Sequence, residues 1–341
     1  MKKECFVLGT RPDIIKFAPL ILKLKPIVIN TGQHKELAEE AFRIFDIMPD
    51  YDLKLMRNDQ TLVDFISRAI QCLNEIISKI KPNRIWVLGD TSTAYTGALV
   101  AYLNKIPLVH VEAGLRTFDF KNPFPEEMFR KFIDQIADIL FAPTHLNMKN
   151  LKREKVSGRI YKVGNLIVES LNFMKDKIPA QRPIKEPYIL MTMHRRESFE
   201  KEMKNVFSLV KKLSKEIKVI FPVHLNPNIR KIAREVGLTT IEPLNYLDFL
   251  WYLKHCEFVM SDSGGVQEEV PSFDKPILIL RKVTERQEIL KTGLAFLTDL
   301  TKKDLVEKIK LVSNLKRKKY NKNPFGSGDT SDKIIQIIQR L

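Results

Sequence analysis

What most constrains this chain is a repeated switch in the period of its hydrophobic residues. Short apolar runs at 5–8, 27–30, 85–88, 108–111, 139–142 and 160–163 alternate with helical periods near 13–24, 35–46, 61–79, 92–104, 126–137 and 145–154. In the third helical segment Leu62, Phe65, Ile66, Ala69, Ile70, Leu73, Ile76 and Ile77 share one face. Strict strand–helix alternation predicts a parallel sheet covered by helices on both sides. The pattern pauses at 174–187, MKDKIPAQRPIKEP, where three prolines and mixed charge read as a linker. It resumes with strands expected at 188–193, 219–222, 239–242, 258–260, 276–280 and 295–297. The fold class expected is therefore α/β, as two Rossmann-like doubly wound domains with a cleft between them. Residues 1–173 form the first domain and 188–328 the second, with a short amphipathic helix at 329–341. A chain of 341 residues is long enough for two such cores.

Ligands of doubly wound sheets bind beyond the carboxyl ends of the strands, and that rule selects the residues worth weighing. At 257–270, EFVMSDSGGVQEEV, an apolar strand runs through Ser263, Gly264 and Gly265 into a helix start. Such a turn offers free backbone N–H groups to a phosphate, and Glu269 could accept hydroxyl hydrogen bonds from whatever carries it. An ordinary glycine-rich corner would read the same way. After the first strand, GTRPDIIK places Arg11 in a turn and Lys16 one helical turn later, which suits a diphosphate or carboxylate, or a plain surface turn.

Asp90 follows the strand at 85–88, either facing the ligand or capping a helix. Glu112 ends the strand at 108–111, where a buried carboxylate needs a partner. Glu126 opens a helix behind Pro125. Three carboxylates from three segments at one sheet edge form a constellation the fold itself does not require, and carboxylates in differing environments are a usual means of acid–base work. In the second half, His194 and His224 follow strand ends, and Arg286 follows the strand at 276–280, within reach of the 263–265 turn. Phe249, an apolar position on a helix, reads as core from pattern alone.

Composition narrows the partners. The formal charge of +16 lies largely on polar helix faces and in the run 316–319, without the aromatic interleaving of a nucleic-acid surface. No apolar segment is long enough to span a bilayer, and the N-terminus lacks a signal-peptide pattern. Cys5, Cys72 and Cys256, far apart in apolar contexts, read as reduced thiols of a cytoplasmic protein, and no metal-site spacing is present.

In order along the chain, GTRPDIIK, TGQH, LGDT, HVEAGLRT, PEE, HRRES, PVHLNPN, SDSGGVQEE, TERQE and NPFGSG resemble the non-hydrolysing UDP-N-acetylglucosamine 2-epimerases over essentially the whole length. The resemblance implies a glycosyltransferase-B architecture with UDP-sugar in the cleft, no metal or nicotinamide cofactor, and a homodimer. Carried over motif by motif, it implies acid–base or catalytic roles for Asp90, Glu112, Glu126 and His194. It also implies UDP contacts for Arg11, Lys16, His224, Phe249, Ser263, Gly264, Gly265, Glu269 and Arg286, with Phe249 beside uracil instead of in the core. The implied route is elimination of UDP to 2-acetamidoglucal and re-addition after protonation on the other face.

Three positions depart from the family pattern. Phe129 replaces a usual Asn, as a helix-packing or substrate-side change; Leu244 replaces Gln; and Glu40 stands where relatives with an activating second UDP-sugar carry Gln. The other readings are a hydrolysing relative, whose first motif resembles GTRADFGK; a 2-epimerase of a modified UDP-sugar, which tends to replace VHLNPN; a glycosyltransferase; and a basic nucleic-acid-binding protein.

Overall fold

A computed structural model describes residues 3–33, 35–57, 59–180, 184, 186–193, 200–224, 226–315 and 318–341. The chain divides into two compact units, Met1–Asn172 with Phe325–Leu341, and Phe173–Pro324.

The first unit is built on seven parallel strands: β1 (Glu4–Leu8), β2 (Ile27–Asn30), β3 (Tyr51–Asp52), β4 (Arg84–Leu88), β5 (Leu108–Val111), β6 (Ile139–Ala142) and β7 (Arg159–Lys162). Their order is β3-β2-β1-β4-β5-β6-β7, so the winding reverses between β1 and β4. Cys5 pairs with Ile27 on one side and Ile85 on the other. All of β1 and β4 is buried, as strands covered on both faces must be. Trp86 packs on Phe6 with ring centroids 4.9 Å apart, and its indole N–H donates to Glu4 at 2.6 Å, so the one polar atom of this core side chain is satisfied. The helix Leu62–Ile80 begins with a Thr61–Asp64 capping box and buries Phe65, Ala69, Leu73 and Ile77.

The second unit carries β8 (Tyr188–Thr192), β9 (Lys218–Ile220), β10 (Val259–Ser261), β11 (Ile277–Ile279) and β12 (Ala295–Leu297), all parallel, in the order β12-β11-β10-β8-β9. Here the winding reverses between β8 and β10. Met191, Met260, Leu278 and Phe221 share one core cluster with the helix residues Phe207 and Val210.

The two doubly wound sheets expected from the sequence are present, with differences at their margins. The strand expected at 239–242 is reduced to a single bridge between Pro222 and Ile241. The exposed pair of β3 and the helix Leu166–Met174 were not expected. The terminal residues do not stand apart as a separate segment. From Phe325 the chain returns to the first unit, where Asn165 N–H donates to the Phe325 carbonyl at 2.7 Å and Lys23 Nζ reaches Asp332 at 2.6 Å. Phe129 is a packing change: it is buried and stacks on Tyr95 with centroids 4.6 Å apart. Among the described residues no helix is long and apolar enough to cross a membrane.

Leu73, on the helix Leu62–Ile80, is fully buried in one core cluster with the strand residues Val7 and Ile85, so Leu73→Ala should lower unfolding stability by about 2–5 kcal/mol. Denaturant unfolding checks this; a loss near zero would mean that the helix face is not packed as described.

Candidate active site

The first cluster of polar side chains stands where the strands of the first unit end. Thr10 caps the helix Arg11–Leu24 in a reciprocal capping box, with Thr10 N–H donating to Asp13 Oδ2 at 3.0 Å and Gly9 N–H to the same oxygen at 3.2 Å. Burial pushes the Asp13 carboxyl up to about 6, against the pull of those hydrogen bonds and of Lys16. Arg11, the first helical residue, is half-buried. Lys16 is buried, and its Nζ lies 2.5 Å from Glu112 Oε1.

Glu112 is the residue after β5 and has a left-handed backbone, φ 68°. Besides Lys16 it accepts from Asn165 Nδ2 at 3.0 Å. Its other oxygen faces Gly89, where a Cβ would come within 3.1 Å of Oε2. Asp90, next along, does not cap the following helix; Thr91 does, accepting from Ala94 N–H at 3.1 Å. Asp90 is instead paired with Arg130 Nη2. Arg130 also holds Glu127 at 3.0 Å, and Glu127 accepts from the backbone of Thr117 and Phe118 at 3.1 and 2.9 Å. Of the adjacent glutamates, Glu127 therefore fixes a loop. Glu126, half-buried at the helix start, shares a helix face with Arg130 four residues on. These contacts bring Glu112 against the Gly89 turn that carries Asp90, and Arg130 ties Asp90 to the helix that Glu126 begins.

In the second unit the turn after β10 is tied to β8, because Thr192 and Ser261 hydroxyls lie 2.7 Å apart and Ser263 N–H donates to Ser261 Oγ at 3.0 Å. Ser263 caps the helix Gly264–Glu269. Arg286 lies flat against Gly264: a Cβ there would sit 2.5 Å from Nη1 and 2.8 Å from Cζ, so a side chain would displace the guanidinium. Glu268 at 2.7 Å and Glu285 hold Arg286, while Arg281 holds Glu285 at 3.0 Å. A Cβ on Gly265 would meet only Ser263 Oγ, at 3.8 Å. Glu269 accepts from the Tyr246 hydroxyl at 2.6 Å. Phe249 follows on the same helix, Tyr246–His255, and is half-buried, outside the core cluster that pattern alone assigned it to. Asn226 N–H donates to His224 Nδ1 at 3.1 Å, which makes Nδ1 the acceptor of that ring. His194 lies outside the described residues.

Sequence reasoning missed Arg130, Asn165, Tyr246, Glu268 and Glu285. The spacing from Glu126 to Arg130 could have revealed the first; Asn165, Glu268 and Glu285 carry no pattern that sets them apart.

A family described as UDP-N-acetylglucosamine 2-epimerase matches residues 22–339. The UDP-N-acetylglucosamine 2-epimerase of Bacillus subtilis is 37% identical, covering 98% of this chain and 94% of its own. An S. aureus MnaA–UDP co-structure superposes with a TM-score of 0.91 at 36% identity, covering 100% of this chain and 96% of that one. The Neisseria meningitidis UDP-GlcNAc 2-epimerase bound to UDP-GlcNAc gives 0.92 at 32% identity, covering 99% and 100%.

The Asp13 carboxyl yields a pH test. Its folded value, about 6, lies above the ordinary 3.8, so the stability it contributes is fully present below pH 3.8 and is lost as pH rises through about 6. Asp13→Asn should remove this dependence, so that the variant gains stability relative to the parent between pH 4 and 7. Parallel stability–pH curves for the two proteins would show that Asp13 is already ionised in the fold at pH 4.

Proposed function

The chain belongs to the UDP-N-acetylglucosamine 2-epimerase family, and we propose that it carries out the non-hydrolysing reaction, reversible interconversion of UDP-N-acetylglucosamine and UDP-N-acetylmannosamine. The observation that supports this reading is that Glu112 lies against the turn of Asp90 while Arg130 ties Asp90 to the helix that Glu126 begins, each carboxylate in a different setting. Glu112 is buried between Lys16 and Asn165, Asp90 is partly exposed beside Arg130, and Glu126 stands at a helix start.

The chemistry requires such differences. The C2 hydrogen of an N-acetylhexosamine has no adjacent carbonyl and is not acidic in the ground state. As the C1–O bond to UDP breaks, positive charge develops at C1 and acidifies it. A carboxylate takes the C2 proton, the C–H electron pair forms the C1=C2 double bond of 2-acetamidoglucal, and UDP leaves with the C1–O pair. An acid then protonates C2 on the opposite face while a UDP oxygen re-adds at C1. No water is consumed and no atom is oxidised. Carboxylates in unlike surroundings supply the base and the acid. In this reading Lys16 and Arg130 hold Glu112 and Asp90 in place and add positive charge near the departing group.

For the leaving group, the Ser263–Gly265 turn and Arg286 would bind the diphosphate, Glu269 the ribose and Phe249 the uracil, with Arg11, Lys16 and His224 adding contacts. Glu268 and Glu285 keep Arg286 in its place over Gly264. His194 joins the catalytic set on its motif, HRRES. We expect a homodimer. The hydrolysing alternative is disfavoured by GTRPDIIK at 9–16.

Incubation with UDP-N-acetylglucosamine in heavy water, followed by proton NMR, should show reversible appearance of UDP-N-acetylmannosamine with deuterium at C2. Free N-acetylmannosamine plus UDP would establish the hydrolysing reaction, and absence of C2 exchange would remove both. Glu112→Gln and Glu126→Gln should each lower kcat by roughly 10²–10⁴-fold; wild-type rates in both would remove the carboxylates from the mechanism. Gly264→Ala, by displacing Arg286, should weaken UDP binding about tenfold while leaving the protein folded. Isothermal titration with UDP reads this out, and an unchanged Kd would dissociate Arg286 from the nucleotide.

A further inference from the structure

Joined to the segments that bear the three carboxylates is a buried polar cluster that the chemistry above does not use. His110, on β5 two residues before Glu112, is fully buried. Its Nδ1 lies 2.7 Å from Asp134 Oδ1, and its Nε2 lies 2.9 Å from the carbonyl oxygen of Gly89. A carbonyl only accepts, so Nε2 carries a proton and donates to it. Asp134, also fully buried, takes the Gly114 N–H at 3.1 Å and Arg116 Nη2 at 2.7 Å on its other oxygen. Arg116 is in turn held by Glu154 and by its neighbour's carbonyl, Leu115 O, at 2.7 Å.

The anchored atoms belong to the three segments that bear the carboxylates. Gly89, with φ 66°, makes the turn that presents Asp90. Gly114 lies two residues past Glu112. Asp134 sits on the helix Glu126–Ile136, on the face shared by Glu126 and Arg130 at successive four-residue steps. One side-chain pair therefore ties a turn, a loop and a helix together, while Arg130 ties the same helix to Asp90.

Stability is a poor reason for this arrangement. Buried ion pairs are often no more stabilising than apolar packing of equal volume, because desolvation offsets their attraction. Burial alone works against ionisation of Asp134, yet the contacts from His110 and Arg116 outweigh it and hold the carboxyl below its ordinary range. What apolar side chains cannot supply is directional fixing of a carbonyl and an N–H on two different loops.

We infer that His110 and Asp134 are positioning residues that set the mutual spacing of Asp90, Glu112 and Glu126, through hydrogen bonds to the Gly89 carbonyl and the Gly114 N–H. The inference rests on the acid–base reading of those carboxylates.

His110→Phe keeps a ring of similar volume and removes both contacts. It should lower kcat for C2 exchange by about 100-fold, the penalty for misplacing reacting groups by about 1 Å. UDP Kd should stay within about twofold, since the pair lies in the unit that lacks the 263–265 turn. Asp134→Asn can re-form every hydrogen bond with a neutral histidine, so its kcat should stay within about tenfold of wild type. Circular dichroism confirms folding at the assay temperature, and if His110→Phe fails that check, His110→Leu, which also lacks both contacts, is read by the same criteria. A folded His110 variant with kcat within about threefold of wild type overturns the inference. So does Asp134→Asn falling as far as His110→Phe, which would make charge and not geometry the cause. Glu112→Gln, run beside them, separates the two layers: if it keeps the wild-type rate the carboxylate reading fails, whereas its loss beside a fully active His110 variant overturns the positioning role alone.

Discussion

A parallel strand covered on both faces leaves a polar side chain two tolerable places, paired inside the core, as Glu4 and His110 are, or beyond the strand's end. This constraint shapes both units. β1, β4, β5 and β6 are buried throughout; Asp90 and Glu112 stand just past the carboxyl ends of β4 and β5, Asp13 in the first turn of the helix after β1, and Asn165 past the end of β7. The reversal of winding between β1 and β4 opens the sheet edge there, and a second reversal between β8 and β10 sets the Ser263 turn at the equivalent place. Each polar cluster is thus a consequence of how its own sheet is wound.

Gathering charge at such an edge creates a second problem, which the structure answers by pairing. Glu112 has Lys16 and Asn165, Asp90 has Arg130, Arg286 has Glu268 and Glu285, and Glu269 has Tyr246. An isolated buried charge would be prohibitively desolvated, while a paired one is also fixed in position. That fixing is useful, because a group tethered at two atoms, as Glu112 is, cannot swing away when a ligand arrives. Gly264 shows how far the backbone accommodates this, giving up its side chain so that a guanidinium can lie against the main chain.

Much of this was legible in the sequence, for definite reasons. Parallel strands buried on both faces are written as continuous apolar runs, so β2, β5, β6 and β12 coincide with the expected segments. Strand-end rules then located Asp90, Glu112, Ser263 and Arg286. The edge strand Tyr51–Asp52 escaped because two exposed residues leave no hydrophobic signature, and the strand expected at 239–242 dwindled to one bridge at the sheet's edge, where apolar residues need not pair. Partners were harder. Asn165 and Tyr246 lie 53 and 23 residues from the carboxylates they hold, distances that only the fold closes. Arg130 and Asp134 were written at helical spacing from Glu126, yet charge on a helix is normally solvated and draws no attention without the contact. Phe249 had the pattern of a core residue and is half-buried.

The return of the chain to its first unit after Pro324 has a consequence in time. During synthesis all seven strands of that unit emerge by Lys162, but the helix Thr330–Gln339 arrives only after the entire second unit has been made. Until then Lys23 and Glu169 face water where that helix will later bring Asp332 and the Ser331 backbone. The first domain to be born is therefore the last to be finished. The second, though inserted in its sequence, can complete its own core while the first still waits for its final helix.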